Sequence, residues 1–473
     1  MARVKVSSLN RMKTSKFNVV IPLRDGNRLL HNTVTQNSVL INRYEWLQLS
    51  REKEMEPLLR LRLQAIGALV DPNKDELAEL YRQDYEKKKK EEESVDVTIM
   101  MTEACNFGCQ YCNQGDSKSN RFMSKKVFDS VLEYILRLKP VKKISLSWYG
   151  GEPLIRKDDI CEFSNRLMIY SERQGLEYKS DIITNGYLLT KDVARRLKAS
   201  GVTCAQVTVD GNRNDHDNSR YIREGKSTFD PIMQNIKSVL NESELHIVLR
   251  VNVSRSNKDG IYELIEYLEE SEIGTNPGFA IYFANIYSPS KNKIDEVDNT
   301  EVDSTVLDNY EFANIQYRLN RLCWEKGIKV ALDMPSFQGA CIATKRSSFA
   351  ITPSGDLHKC YIVMANKDEK VGEVMADGEI DLDQQKFDRW DSWSAFSQSE
   401  CSSCKLIGSC RGGCPLDYIK GESNSSDHSS CPPAKHYFNE YIFQRAVRTG
   451  LVTQEQWNGK ESETKMEELR LPK

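Results

Sequence analysis

Val95-Asp-Val-Thr-Ile-Met-Met101 leads through Thr102-Glu103 into Ala104-Cys105-Asn106-Phe107-Gly108-Cys109-Gln110-Tyr111-Cys112-Asn113. The first seven residues read as a strand. The loop that follows spaces three cysteines as Cys-x3-Cys-x2-Cys, with no other cysteine nearby. A [4Fe–4S] cluster ordinarily takes four thiolates. Three from one tight loop leave one iron without a protein ligand and open to chemistry. Gly108 is expected to let the backbone turn so that the three sulfurs face one way. The plainer alternatives are a partial zinc site and three unrelated core cysteines. Zinc favours Cys-x2-Cys pairs with a second pair elsewhere, which this loop fits poorly.

Outward from this loop the chain alternates strands and helices. Strands are predicted over 95–101, 143–148, 180–183, 203–209, 245–253 and 279–283, and helices over 124–139, 158–174, 190–200, 228–241, 261–270 and 305–327. Ser124 suits an N-cap, Val127, Val131 and Ile135 share one face, and Pro140 follows the end of that helix. Six such βα units imply a parallel sheet with helices outside, and suit a partial (β/α)6 barrel better than a closed eight-stranded one. In barrels the loops after the strand C-termini carry the site. The cysteine loop, Gly150-Gly151-Glu152, Thr184–Gly186 and Asp210-Gly211 all fall there.

The flanks differ in texture. Residues 1–16 read as a polar lead-in, 17–23 as a strand and Asp25-Gly26 as a hairpin turn, with further strand at Leu29-Leu30 and 39–41. Helices over 44–69 and 74–85 complete a small α+β module, and the Lys-rich and Glu-rich run to Ser94 is a solvated helix end or linker. At the other end come Cys341, Cys360, Cys401, Cys404, Cys410, Cys414 and Cys431. Their spacing fits structural zinc and two iron–sulfur clusters alike. Cys161, Cys204 and Cys323 lie in patterned segments and read as core. The charged tail after Val452 carries no pattern.

The chain has 473 residues, enough for two or three domains. Lys+Arg of 66 against Asp+Glu of 69 argues against a nucleic-acid or membrane-surface protein. No apolar run is long enough to span a membrane, and the start lacks the apolar core of a signal peptide. A cytoplasmic chain is expected, in which thirteen cysteines need another account than disulfides.

At this point the motifs resemble a known family. Cys105–Cys112 after the first barrel strand and Gly150-Gly151-Glu152-Pro153 after the second resemble the radical S-adenosylmethionine (SAM) superfamily. The pattern Cys-x13-Gly-x4-Cys, then Cys-x2-Cys-x5-Cys-x3-Cys-x16-Cys, resembles its SPASM domain. The resemblance covers about residues 95–440. The first module is similar, by texture and position, to the winged-helix-like leader-binding domain of radical SAM peptide maturases. The implied layout is a leader-binding-like domain and linker over 1–94, a partial TIM barrel over 95–330, a cysteine-rich SPASM domain over 331–450 and a charged tail over 451–473.

The resemblance implies roles. Cys105, Cys109 and Cys112 hold a [4Fe–4S] cluster whose fourth iron takes SAM. Glu152 meets the ammonium of SAM, Gly150 and Gly151 allow close approach, Tyr111 lies against the adenine, and Thr208 and Arg220 match SAM-contacting positions. Cys401, Cys404, Cys410 and Cys431 hold one auxiliary [4Fe–4S] cluster. Cys341, Cys360 and Cys414 hold another, with an open iron or an unusual fourth ligand. The implied activity is reductive cleavage of SAM to a 5′-deoxyadenosyl radical, which abstracts hydrogen from a ribosomal precursor peptide. The product is a thioether or a carbon–carbon or carbon–oxygen crosslink, and flavodoxin or ferredoxin donates the electron. The alternatives are a sulfatase-maturating, formylglycine-forming enzyme, a small-molecule SPASM dehydrogenase and a non-catalytic zinc protein. Sulfatase-maturating relatives carry Asp directly after the second SPASM cysteine and Gln before the Gly-Gly. This chain has Tyr361 and Tyr149 there, which weighs against that activity. No residue is assigned as a catalytic base.

Overall fold

The computed structural model of the protein describes residues 12–50, 55–109, 111–112, 114, 119–138, 142–222, 225–286, 305–331, 341–420, 431–458 and 469–471. Residues 1–11 of the predicted lead-in, Lys139 and Pro140 after the first barrel helix, and 459–468 of the tail lie outside the described residues. The chain divides into two compact units. One comprises residues up to 88 together with those from 393 onward, and the other residues 89–333 and 341–392. The two stretches 341–392 and 393–450, read from sequence as one C-terminal domain, fall in different units.

The first unit begins with β1 (Lys13–Thr14) and a meander of β2 (Asn18–Pro22), β3 (Arg28–Asn32) and β4 (Asn37–Ile41), in the order β2-β3-β4. Gly26, at φ 81°, makes the expected hairpin turn. The continuous helix predicted over 44–69 is two helices, Arg43–Ser50 and Pro57–Ala65. Pro57 opens the second of them. In a first turn it has no intrahelical N–H to lose, whereas in a helix running through it the ring would clash with the preceding turn. Leu69 belongs to β5 (Leu69–Val70), which pairs antiparallel with β1.

This module shares its core with the far end of the chain. Val19, Ile21, Leu23 and Leu29 pack with Leu406, Phe438, Ile442 and Phe443, and Cys404 and Cys410 lie against the same cluster. Phe17 and Leu80 pack with Ile407, beside Cys401. The Thr33 hydroxyl donates to the Lys405 carbonyl, and Arg411 pairs with Asp84 at 2.5 Å. Gly408 is needed for this approach, since a Cβ there would meet Val34 at 2.9 Å. The tail, unpatterned in sequence, also returns: Leu469 is buried, and the Lys405 N–H donates to its carbonyl at 2.7 Å.

The second unit is built on β6 (Ser94–Met100), β7 (Lys143–Tyr149), β8 (Glu177–Thr184), β9 (Val202–Thr208), β10 (His246–Val253) and β11 (Phe279–Asn285). Each pairs in parallel with the next, as the alternating pattern predicts. Along β7, Ile144, Leu146 and Trp148 are buried while the residues between them are less so, the period of two expected of a strand. Ser124 caps Lys125–Arg137 by accepting from the Val127 N–H at 3.3 Å, and Thr190 caps Lys191–Ala199 in the same way. Among the described residues the sheet does not close. Its β6 edge takes β12 (Phe349–Ile351) in parallel, followed antiparallel by β13 (Asp356–His358), β14 (Gly372–Val374) and β15 (Ile380–Leu382). Among the described residues no helix is long and apolar enough to cross a membrane.

Candidate active site

The loop bearing Cys105, Cys109 and Cys112 leaves the C-terminal end of β6, and the Gly-Gly-Glu stretch leaves the end of β7 beside it. Backbone hydrogen bonds staple the two: Gly151 N–H to Thr102 O at 2.9 Å and Glu152 N–H to Ala104 O at 2.8 Å. Gly150 has φ 138°, and a Cβ there would meet Thr102 O at 2.5 Å. A Cβ on Gly151 would strike the Ala104 carbonyl. What these glycines admit is thus the backbone of the cysteine loop itself. Gly108, expected to serve a turn, has no positive φ. It makes room for the Tyr221 ring, which a Cβ would meet at 2.9 Å, and its N–H donates to Tyr221 O at 2.9 Å.

Glu152 is fully buried. Its Oε1 accepts from Leu154 N–H at 2.9 Å and from the Thr184 hydroxyl at 2.7 Å, and its Oε2 accepts from Asn185 N–H at 2.8 Å. Burial pushes its pKa up, and these hydrogen bonds and Arg220 offset that only in part. A carboxylate oxygen accepts two donors, so Oε2 keeps room for one more.

A second, partly buried network centres on Tyr111. The Tyr111 hydroxyl donates to Asp210 and accepts from Arg220 at 2.6 Å and from Asn252 at 3.0 Å. Asn252 also donates to Asp210 at 3.2 Å, as Ser219 does at 3.1 Å. Burial acts to lower the Arg220 pKa, but Cys109, Tyr111 and Asp210 outweigh it and hold the group charged. A fixed cation therefore stands beside the thiol of Cys109. Thr208 ends β9, two residues before Asp210. Asn252, near the end of β10, escaped the sequence reading. A polar residue close to the C-terminal end of a predicted barrel strand was the available signal.

The other cysteines fall in both units. Cys401, Cys404, Cys410 and Cys431 belong to the first unit and act on one another. Burial pushes the Cys410 thiol up to about 12, with Cys431, Cys404 and Cys401 adding to the effect. The Tyr418 hydroxyl lies 3.5 Å from Cys401 Sγ, and the Lys435 ammonium 3.4 Å from Cys431 Sγ. Cys414 is in the same unit. Cys341, exposed, and Cys360 are in the barrel unit, and both act on Tyr361. Cys161 and Cys323 are buried and Cys204 is half-buried in β9. Among the described residues no group of three or more His, Cys, Asp or Glu side chains is placed so as to hold a metal ion. Such placement is what a bound group itself brings about. The donors suit iron–sulfur clusters: thiols, with buried Arg220 and Lys435 to offset thiolate charge.

Residues 99–268 match the model of the Radical SAM superfamily. This stretch of the barrel therefore carries a Radical SAM domain, and that superfamily uses SAM and a [4Fe–4S] cluster. The GTP 3′,8-cyclase of Helicobacter pylori is 30% identical over 184 residues, 37% of this chain and 53% of the cyclase. That of strain HPAG1 is 32% identical over 182 residues, with the same coverage of 37% and 53%. The chain therefore spans about half the length of these curated relatives. The fold is similar to that of anSMEcpe solved with bound SAM and the Cp18Cys peptide, at a TM-score of 0.56 and 16% identity over 75% of this chain and 97% of that one. Streptococcus suis SuiB bound to SAM aligns at 0.50 and 16% identity, over 88% and 100% of the two chains. At these identities the likeness is one of fold.

Proposed function

We propose that this radical SAM enzyme is a SPASM-type maturase that crosslinks a ribosomally made precursor peptide, forming a thioether or a carbon–carbon or carbon–oxygen bond. The observation that carries the peptide reading is the outer face of the first module. Among the described residues β4 pairs with β3 alone, which leaves its other edge without a strand partner. Arg62 reaches the Leu40 carbonyl at 2.6 Å, which sets the Pro57–Ala65 helix beside β4. That helix and its neighbour expose Leu58 (69%), Leu61 (63%) and Leu47 (44%). A free strand edge with apolar side chains nearby is what β-augmentation by a leader peptide takes. The similarity of fold to anSMEcpe, solved with a bound peptide, supports the same reading.

In this reading Cys105, Cys109 and Cys112 hold the SAM cluster. The remaining acceptor position on Glu152 Oε2 takes the SAM ammonium, and Arg220 faces the carboxylate. Gly150, Gly151, Thr208 and Tyr111 complete the cradle, with Tyr111 fixed by Asp210 and Asn252. Cys401, Cys404, Cys410 and Cys431 hold one auxiliary cluster, and Cys341 and Cys360 contribute to the other, for three clusters in all. Flavodoxin or ferredoxin supplies the electron. Bound there, the SAM cluster would cleave SAM and so deliver the radical that takes hydrogen from the peptide. Burial pushes the Tyr361 hydroxyl up to about 12, so the residue after Cys360 is no base at neutral pH. That disfavours the formylglycine-forming alternative.

The leader test uses a panel of synthetic leaders from short reading frames flanking the gene, read by fluorescence anisotropy. Leu58→Glu with Leu61→Glu is expected to weaken the best binder by at least about tenfold, about 1.4 kcal/mol, with iron content unchanged. Unaltered affinity would place the leader elsewhere.

Glu152→Gln tests the SAM cradle. An amide must turn its NH2 toward the Asn185 N–H or toward two other donors. One buried donor pair is then left facing, at a cost of about 1–3 kcal/mol. SAM affinity by equilibrium dialysis is expected to fall more than about tenfold. Binding within about twofold of the parent would remove Glu152 from the SAM site.

A further inference from the structure

A cluster held by Cys401, Cys404, Cys410 and Cys431 is anionic when oxidised and more so when reduced. Its potential then depends on the charges and hydrogen bonds at its sulfurs and on its exposure to solvent. Two side chains in this unit address those sulfurs, and neither is a ligand. Lys435 is 8% exposed, and its Nζ lies 3.4 Å from Cys431 Sγ. Burying an ammonium is costly unless opposite charge meets it, and the groups acting on this one are the thiols of Cys404, Cys431 and Cys410. Tyr418 presents its hydroxyl 3.5 Å from Cys401 Sγ, and its ring lies 6.0 Å from that of Trp393. Cys404 and Lys435 also line a cavity of about 250 Å³ with Arg470 and Glu400.

We propose that Lys435 and Tyr418 are positioning residues for this cluster: each donates a hydrogen bond to a ligand sulfur, and the Lys435 charge raises the reduction potential. The inference rests on the assignment of these four cysteines to a [4Fe–4S] cluster. Hydrogen bonds from outer groups, together with net charge, are recognised means of shifting such potentials. Lys435 supplies both at once. Tyr418 supplies the hydrogen bond without the charge, so its effect has the same sign and a smaller size.

The test is a redox titration of the full-length, anaerobically reconstituted protein, followed by electron paramagnetic resonance. Loss of one signal in Cys431→Ala assigns the cluster. In Lys435→Met that signal's midpoint is expected to move negative by at least tenfold in its reduction equilibrium, 59 mV for one electron. The other midpoints stay in place. Lys435→Arg keeps most of the parent potential, and Tyr418→Phe gives a smaller shift in the same direction. An unmoved midpoint with full iron content overturns the inference and leaves the cluster reading intact. If Cys431→Ala and the parent contain the same iron, the cluster reading fails and takes the inference with it. Should Lys435→Met lose the cluster, resonance Raman spectra of the parent in H2O and D2O decide. Hydrogen-bonded Fe–Sγ bands shift on exchange, and no shift overturns the inference.

Discussion

Replacing Cys105, Cys109 and Cys112 together by alanine is expected to abolish reductive SAM cleavage while leaving the chain folded. On the three-cluster reading proposed above, the iron content should fall from roughly 12 atoms per chain to roughly eight, the loss of one cubane. The fold is expected to survive because the loop is held by its backbone and not by its sulfurs. Gly151 and Glu152 donate to the Thr102 and Ala104 carbonyls, and Gly108 donates to Tyr221. Phe107 N–H also donates to Cys105 Sγ at 3.4 Å, a contact to sulfur weaker than these N–H to carbonyl bonds. The single variants should differ. Cys109 acts directly on the buried Arg220 guanidinium, so Cys109→Ala removes a neighbour that helps to hold that charge. Cys109→Ala should therefore lower thermal stability more than Cys105→Ala does. Retained SAM cleavage in the triple variant would end the assignment of the loop, and a colourless parent containing zinc would end the enzyme reading altogether.

The barrel could be read from sequence because its signal is local. Each strand carries its own run of apolar residues, each helix its own cap, and the first barrel helix begins where Ser124 places it. The mouth followed from the strand ends, which is why the cysteine loop and Glu152 were found and are joined by two hydrogen bonds. What escaped depends on partners distant in sequence. The continuation of the sheet through β12 to β15 rests on pairs such as Ala350 with Thr98, which no periodicity announces. Asn252 has meaning only once Tyr111 and Asp210 are beside it. The break at Pro57 was visible as a residue, but the apolar pattern ran across it. Gly108 reads in sequence as a turn residue because a glycine's free φ is the commoner explanation, whereas its role is to leave space for Tyr221.

Deletion of residues 1–88 is the change expected to reach furthest beyond its own segment. Read as a separable leader-binding module, this stretch should come away with loss of peptide recognition alone. The shared core argues otherwise. Removing it uncovers Leu406, Phe438, Ile442 and Phe443, each 1% exposed or less. At about 1.5–3 kcal/mol for each large apolar side chain, these four alone represent about 6–12 kcal/mol. That is comparable to the whole stability of an ordinary domain, about 5–15 kcal/mol. Cys404 and Cys410 pack on the same core, and Cys401 on the one around Phe17. The truncated chain should therefore lose about four iron atoms and expose these thiols to alkylating reagents. Leu58→Glu with Leu61→Glu, on the exposed face, should weaken leader binding with the iron intact. The two changes thus agree on peptide binding and disagree on iron, which separates a docking surface from the structural half of a cluster site. A truncated chain that keeps its full iron and protected cysteines would show that the C-terminal segment folds unaided, and that the apolar contacts to β2 and β3 are dispensable.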